Sequence, residues 1–446
     1  MSDAIKPRLA VFDLTMVVVS LIIGLGIFRT PVEVANKAQI PIIFFLAWSL
    51  GAVTSLFGAL TFAEIGSRYP APGGYYKIFS HCYHPAIAFM VNWISVISNA
   101  ATAALVAIIG ADYINPIIIP EVDRDLGVKV TTIAAVLFLF AINLAGIKMS
   151  SRVLNVLMAI KIAMLLLLIS LVFVHHTPSR ATASVTPMSL GESGTAFLLC
   201  FVPVFFTCGG YHQIINFGGD IKNPQKNLPR SIFFGIAIAF SLYLLVTFSY
   251  YYVLGFEQVK HTTALAADMV SVIFGDIGFK FIAVIMFLAV LAYVNSSIMA
   301  NPRVYFAMAE DGVLPGILKK VNENTQVQEW ALTLFVAFII LTLFLLSSVQ
   351  KILDYVMFFD SISLSLAVAS VFVLRYRAKR QGEPDGIYKM IGYPLLPILF
   401  IIVYTGVNVS VLIHNPAAAT AGLVLFLSGG PLFYILRKLI KAPAGN

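Results

Sequence analysis

We interpret the chain outward from the stretch Ser20-Leu-Ile-Ile-Gly-Leu-Gly-Ile-Phe-Arg-Thr-Pro31, which lies within an apolar run from Val11 to Thr30. Gly24 and Gly26 each cost a helix about 1 kcal/mol relative to alanine. In lipid, a break also exposes main-chain groups that hydrocarbon cannot satisfy, so it persists only beside a cavity or a ligand. The sequence therefore predicts a membrane helix that is split at the two glycines.

A split helix presents two polar ends. The amides of Gly24, Leu25 and Gly26 open the second half and suit a carboxylate, whereas the carbonyls of Ile22 and Ile23 close the first half and suit an ammonium. The alternative interpretation is a glycine pair that only lets a neighbouring helix pack closely.

Composition places the chain in the membrane. Of its 446 residues, 59% are hydrophobic and only 11% are charged. This hydrophobic share exceeds what a soluble globular protein needs to form its core. The N-terminus lacks a cleavable-signal pattern. We count twelve apolar segments of spanning length: Phe12–Asn36, Pro41–Ile65, Ala86–Asp112, Val130–Ala145, Val153–Val174, Ala196–Phe217, Ser231–Leu254, Ile277–Ala309, Trp330–Leu346, Ile352–Leu374, Tyr393–Ile413 and Ala417–Ile435.

Basic residues are concentrated in alternate loops, which explains the net charge of +8 without nucleic acid. Following the positive-inside rule, we predict that both termini are cytoplasmic and that the chain is a multi-pass protein of the cell (inner) membrane. The cysteines Cys82, Cys200 and Cys208 lie outside the predicted outer loops, so a structural disulfide is not expected.

The sixth segment contains a second break, at Cys208-Gly209-Gly210. Two interrupted helices five spans apart are the best sequence pointer to an inverted-repeat transporter with its site at the breaks. We therefore predict an all-α polytopic fold of 12 transmembrane helices, in which helices 1 and 6 are discontinuous. One transporter domain would comprise two five-helix repeats, 9–176 and 192–378, and two extra helices in 391–440.

Four motifs then resemble the amino acid–polyamine–organocation permeases, especially their L-amino-acid transporter branch. They are IIGLGIF with Pro31, EIGSRYPAPGGYY from Glu64, FTCGGY from Phe206, and RVYFAMAEDG from Arg303. The resemblance extends from about Leu9 to Arg377. It implies the leucine-transporter-like 5+5 fold and alternating access, with an amino acid held at the two breaks.

The resemblance also implies roles for individual residues. Ile22, Leu25 and Gly26 match positions whose backbone meets the substrate, and Phe206 and Gly209 match the second break, where Phe206 would cover the substrate. The candidate binding residues are thus Ile22, Ile23, Gly24, Leu25, Gly26, Phe206, Cys208, Gly209 and Gly210. The family usually has serine at Leu25, tryptophan at Tyr211, and asparagine or an acidic residue at His212, which leaves the substrate open.

Lys161 lies inside the fifth span, where a lysine is expensive and should face the bundle interior. In the resemblance it matches a lysine whose ammonium replaces the sodium ion of sodium-coupled relatives. It would contact carbonyls near Gly24 and hydroxyls of the eighth span, for which Ser296 and Ser297 are candidates. Tyr243 aligns with a family tyrosine that braces the first break. Whether Lys161 keeps or exchanges its proton is left open.

Two further charges are candidate site residues. Asp360 lies about 15 Å into the tenth span at helical rise, near the midplane. It could pair with Lys161 or Arg29, or be protonated. Arg29 either faces the pore or reaches the outer surface.

We expect a transporter of neutral L-amino acids that is sodium-independent and works by exchange or proton-coupled uptake. The alternatives are a permease for cationic amino acids or polyamines, and an amino acid sensor without flux. No catalytic, metal-binding or cofactor-binding motif is present, so an enzyme is not expected. The loop 113–129 lacks the cysteine through which eukaryotic relatives join a partner subunit, so we expect no disulfide-linked partner and a free-standing bacterial permease.

Overall fold

The computed structural model describes residues 6–24, 26–174, 188–262, 264–345, 349–383 and 386–441. The first part of the chain forms seven helices: α1 (Val11–Ile22), α2 (Gly26–Ala38), α3 (Pro41–Arg68), α4 (Gly74–Cys82), α5 (Pro85–Ile118), α6 (Arg124–Leu144) and α7 (Ile147–Val174). The second part forms ten more: α8 (Leu190–Leu199), α9 (Phe201–Thr207), α10 (Pro224–Leu254), α11 (Phe256–His261), α12 (Leu265–Ala300), α13 (Pro302–Glu310), α14 (Glu329–Leu345), α15 (Val349–Gln381), α16 (Leu395–His414) and α17 (Pro416–Lys441).

The prediction of a helical membrane fold is confirmed. In the described part of the chain, 11 stretches of helix are long and apolar enough to cross a membrane. The predicted ninth span, Trp330–Leu346, corresponds to α14, which is apolar but has only 17 residues. Its predicted last residue, Leu346, lies outside the described residues. Twelve spans and the relation between the repeats 9–176 and 192–378 stay predictions.

The loop predicted at 113–129 is wrong in extent, because this segment is largely helical. Only residues 119–123 separate α5 from α6. The Asp123 carboxylate caps α6 by accepting a hydrogen bond from the amide of Leu126 at 3.2 Å. Hydropathy marks where a helix leaves the apolar layer, whereas a cap marks where the helix itself begins, so the two boundaries differ.

Both predicted interruptions are present. α1 ends at Ile22 and α2 begins at Gly26, while α9 ends at Thr207 and is followed by a 3-10 helix over Tyr211–Asn216. Long helices surround these short pieces: α10 packs against α1, α3 and α7, and α12, which is kinked at Gly275, packs against α5, α6 and α7. The last two helices pack outside this group, with α16 against α3 and α15, and α17 against α5 and α15.

The end of the bundle that carries the N-terminal segment is held shut, and we call it the closed end. The amide of Arg8 donates to the carbonyl of Asp220 at 2.8 Å. The Asp220 carboxylate, which is buried, pairs with Arg303 of α13 at 2.6 Å. Lys77 of α4 pairs with Asp311, just after α13, at 2.5 Å. These contacts connect the start of α1 to α4, α13 and the segment before α10.

A second ionic cluster at the closed end is centred on Glu64 of α3, which is fully buried. Its carboxylate accepts hydrogen bonds from Arg375 of α15 at 2.6 and 2.7 Å, from Arg68 at 2.7 Å and from the amide of Met390 at 2.9 Å. A buried carboxylate is tolerated only when it is paired and hydrogen-bonded in this way. The cluster joins α3 and α15 to the segment that leads into α16.

Candidate functional site

A cavity of about 160 Å³ lies where the two interrupted helices meet. Its lining includes Gly24 and Gly26 from the first break and Phe206, Gly209 and Gly210 from the second. The cavity therefore contains main chain from both breaks, which is the arrangement that makes broken membrane helices tolerable.

At the first break, the chain leaves the helical path after Ile22. Ile23 has φ −81° and ψ 78°, and the amide of Gly24 folds back to donate to the carbonyl of Ile22 at 2.9 Å. α2 then starts at Gly26 beside the cavity. The first amides of a helix have no intrahelical acceptor and carry partial positive charge, so this corner of the cavity favours an anion. Leu25 lies outside the described residues.

At the second break, Gly210 brings the main chain directly against α1. It has φ +92°, and a Cβ built there would lie 2.3 Å from the carbonyl oxygen of Leu21. Both the backbone angle and the close approach exclude larger residues at this position. On the other side of the break, the carbonyl of Phe205 accepts no hydrogen bond within the described part of the chain. The end of α9 thus presents partial negative charge to the cavity.

Tyr243 of α10 holds the two breaks together. Its hydroxyl lies 3.0 Å from the carbonyl oxygen of Ile22 and 3.3 Å from that of Thr207, so it can donate to either. Its ring stacks on Trp48 at a centroid distance of 5.7 Å. The Thr207 hydroxyl also hydrogen-bonds to the hydroxyl of Thr30 in α2 at 2.6 Å.

Lys161 of α7 is fully buried, and its ammonium donates to the carbonyl of Ile23 at 2.6 Å. It thereby satisfies a main-chain group that the first break would leave bare. The predicted bonds to the eighth span are wrong: among the described residues the Ser296 hydroxyl has no hydrogen-bond partner, and the Ser297 hydroxyl accepts from the side-chain amide of Asn301 at 3.1 Å. The Ile23 carbonyl alone accepts from Lys161 among the described residues.

Most of the predicted binding residues line the cavity, but two do not. Ile22, Gly24, Gly26, Phe206, Gly209 and Gly210 contribute to the lining. Ile23 does not, because its carbonyl faces Lys161. Cys208 is buried against α3, where its carbonyl accepts from the Ser55 hydroxyl at 3.3 Å. The ends of α1 and α9 therefore use some carbonyls internally that a ligand would otherwise meet.

Asp360 pairs with neither of the two residues that were considered as its partners. Asp360 lines the cavity, and its carboxylate forms no ion pair with Lys161 or Arg29. Arg29 instead lies 3.7 Å from Glu33 on the next turn of α2. Both residues and Lys37 line the part of the cavity that follows α2 away from the first break. Arg29 thus faces the cavity rather than only the outer surface.

The sequence did not reveal several lining residues. Tyr293 and Tyr404 contribute ring surface, and Asn99 and Gln213 contribute amides that lie 3.5 Å apart. Asn99 also donates to Asn301 at 2.7 Å, so it serves both as an interhelical contact and as cavity lining. A polar residue inside an apolar span was the available signal, but such residues more often bond between helices than face a pore.

Comparison with known proteins gives a match over almost the whole chain. The family model described as amino acid permease matches residues 9–431. The serine/threonine exchanger SteT of Bacillus subtilis is 29% identical over 98% of both chains. The large neutral amino acids transporter small subunit 2 of Rattus norvegicus is 26% identical over 97% of this chain and 81% of its own length. The human cystine/glutamate transporter is 24% identical over 98% and 87%, respectively.

We predict that Tyr243→Phe lowers the free energy of unfolding by about 1–3 kcal/mol, because it leaves a buried carbonyl at the breaks without its donor. Tyr250→Phe, two turns further along α10, is the matched control, since the buried Tyr250 hydroxyl has no hydrogen-bond partner among the described residues. Thermal unfolding of the purified proteins measures the difference. Equal stability of the two variants would show that the Tyr243 hydroxyl does not brace the breaks.

Proposed function

The chain belongs to the amino acid permease family, and from this premise we propose that it is a sodium-independent transporter of neutral L-amino acids. The relatives reported above are amino acid transporters, which supports amino acid transport by a multi-pass membrane protein and argues against an enzyme. We further propose the cell membrane as its location, with both termini in the cytoplasm.

The meeting of the two breaks at one cavity is the observation that carries this proposal. A zwitterion brings one negative and one positive group into the membrane, and burying either without a partner costs several kcal/mol. The amides that start α2 at Gly26 suit the carboxylate, and the carbonyl of Phe205 at the end of α9 suits the ammonium. Main-chain dipoles at fixed helix ends thus recognise the part that all amino acids share.

A neutral side chain is supported by the walls around this head-group site. Phe206, Leu105 and Val106 line the cavity with apolar surface, and Asn99 and Gln213 add amides that can bond a hydroxyl. The names of two relatives, a serine/threonine exchanger and a large neutral amino acids transporter, are consistent with such a pocket.

Independence from sodium is supported by Lys161. Its ammonium is a fixed cation beside the first break, where it bonds the carbonyl of Ile23. A carbonyl that already accepts a hydrogen bond from an ammonium is a poor ligand for a second cation, because the two positive charges would repel each other. A sodium ion is therefore not needed to satisfy this end of α1.

Alternating access is supported by the asymmetry of the bundle. The cavity extends along α2 past Arg29 and Lys37, whereas the opposite side is shut by contacts such as Asp220–Arg303. Opening the closed end would require these ion pairs to break while new contacts shut the α2 side. Either exchange or proton-coupled uptake can use such a cycle.

We propose that the chain acts without a disulfide-linked partner, since residues 119–123 between α5 and α6 contain no cysteine.

We expect Lys161→Ala to reduce transport at least about tenfold while the protein still folds, because the Ile23 carbonyl would lose its donor at a cost of about 1–3 kcal/mol. Lys148→Ala is the control, since Lys148 is exposed on the same helix, α7. Counterflow of labelled amino acids into proteoliposomes, with sodium replaced by choline, provides the measurement.

Two results would contradict the proposal. Unimpaired flux in the Lys161→Ala variant would remove this residue from the mechanism, and a wild-type flux that requires added sodium would refute the ion claim. Binding of amino acids without any counterflow would identify a sensor instead of a transporter.

A second candidate function is transport of cationic amino acids, and Asp360 is the observation that favours it. Its carboxylate faces the cavity among Tyr293, Tyr404 and Gln213, with no ion-pair partner in the described part of the chain. A carboxylate in such surroundings is costly unless it is protonated or meets a cation. An ammonium or guanidinium at the end of a substrate side chain would supply that cation.

If this second function holds, lysine and ornithine will inhibit leucine counterflow, and Asp360→Asn will weaken that inhibition about tenfold or more, as expected for a charge-assisted hydrogen bond. The variant will leave leucine transport largely intact. Asp125→Asn, which changes an exposed carboxylate on α6, is the control. Inhibition constants measured in proteoliposomes decide the matter. Absence of inhibition in the wild type, or an unchanged value in Asp360→Asn, would exclude a cationic side-chain site.

A further inference from the structure

A second cavity lies apart from the candidate site, between α3, α10 and the segment around Tyr388. Its volume is about 390 Å³. It is on the side of the closed end, because α3 ends there and α10 begins there. None of the residues that line it also lines the cavity at the two breaks.

The walls of this cavity are apolar and continue onto the outside of the bundle. Leu56 and Leu60 of α3 form one wall, and Phe233 and Phe234 of α10 form the other. Phe233 and Phe234 are 55% and 51% exposed, respectively. Both helices are of membrane-spanning length and hydropathy, so this exposed surface faces lipid chains rather than water. The cavity is thus a slot that opens sideways into the bilayer.

The rim of the slot carries two cations. Lys226 and Arg230 are one turn apart at the start of α10, both are exposed, and neither forms an ion pair within the described residues. The described lining contains no aspartate or glutamate. By contrast, the nearby Arg68 and Arg375 at the closed end both pair with Glu64, and Arg68 also pairs with Glu383. The positive charge at the rim therefore has no compensating group among the described residues that line the slot.

We propose that the slot binds one anionic phospholipid, with its phosphate between Lys226 and Arg230 and one acyl chain between α3 and α10. Basic pockets between membrane helices on the cytoplasmic side recognise acidic head groups in this way. Leu56 lies 12 residues before the end of α3 at Arg68, which is about 18 Å at helical rise. The slot is thus deep enough to hold a substantial part of an acyl chain. This inference does not depend on the transported substrate.

The test uses purified, delipidated full-length protein in a neutral detergent, titrated with phosphatidylglycerol or phosphatidylcholine of the same chains while thermal unfolding is followed. We expect phosphatidylglycerol to stabilise the wild type at concentrations where phosphatidylcholine does not. The double variant K226Q/R230Q should lose about 25-fold in apparent affinity, since each cation near an acidic lipid contributes about fivefold. K319Q/K320Q, which removes two exposed cations after α13, should retain the wild-type affinity.

A second variant, Leu60→Trp, tests the apolar part with both cations in place. The larger side chain fills the slot from α3 and should also weaken phosphatidylglycerol binding. This variant provides the test if the double variant does not fold. Equal stabilisation by the two lipids would overturn the proposal, as would equal losses in K226Q/R230Q and K319Q/K320Q. Full stabilisation by inorganic phosphate alone would do so as well, because it would show that no acyl chain is bound.

Discussion

The structure depends on one constraint: main-chain amides and carbonyls inside a bilayer must find hydrogen-bond partners within the protein. Interrupting α1–α2 and α9 in the middle of the bundle breaks this rule at two places, and neighbouring helices supply the remedy. Lys161 satisfies the carbonyl of Ile23, and Tyr243 lies within reach of the carbonyls of Ile22 and Thr207. The amide of Gly26 and the carbonyl of Phe205 have no such partner in the described part of the chain, and both residues line the cavity, where a ligand can reach them.

The same constraint links binding to movement. Short helical pieces attached by few main-chain hydrogen bonds can tilt with less loss than continuous helices, so the breaks are natural hinges. At the closed end, Asp220 ties the start of α1 to α13 through the Arg8 amide and the Arg303 side chain. A tilt of α1 would strain the first of these contacts directly. The proposed movement at the breaks would therefore also act on the contacts at the closed end.

The glycine pairs predicted both interruptions, because their effect on a helix is local and large. The sequence could not predict which carbonyls the protein would use for itself: Cys208 bonds Ser55, and Ile23 bonds Lys161 instead of a ligand. Asp360 and Arg29 both line the cavity, but the groups that they meet depend on how the helices rotate against each other. Tyr293, Tyr404 and Gln213 carry no local signal, since they become site residues only through packing.

The central claim is that main-chain dipoles at the two breaks bind both charged groups of a zwitterion. The most direct measurement is binding of free amino acids to the purified protein, compared with the methyl ester and the N-acetyl derivative of each amino acid that binds. The ester removes the carboxylate and acetylation removes the ammonium, while both keep the side chain. The account predicts that either change abolishes detectable binding. Retention of wild-type affinity by either derivative would contradict it.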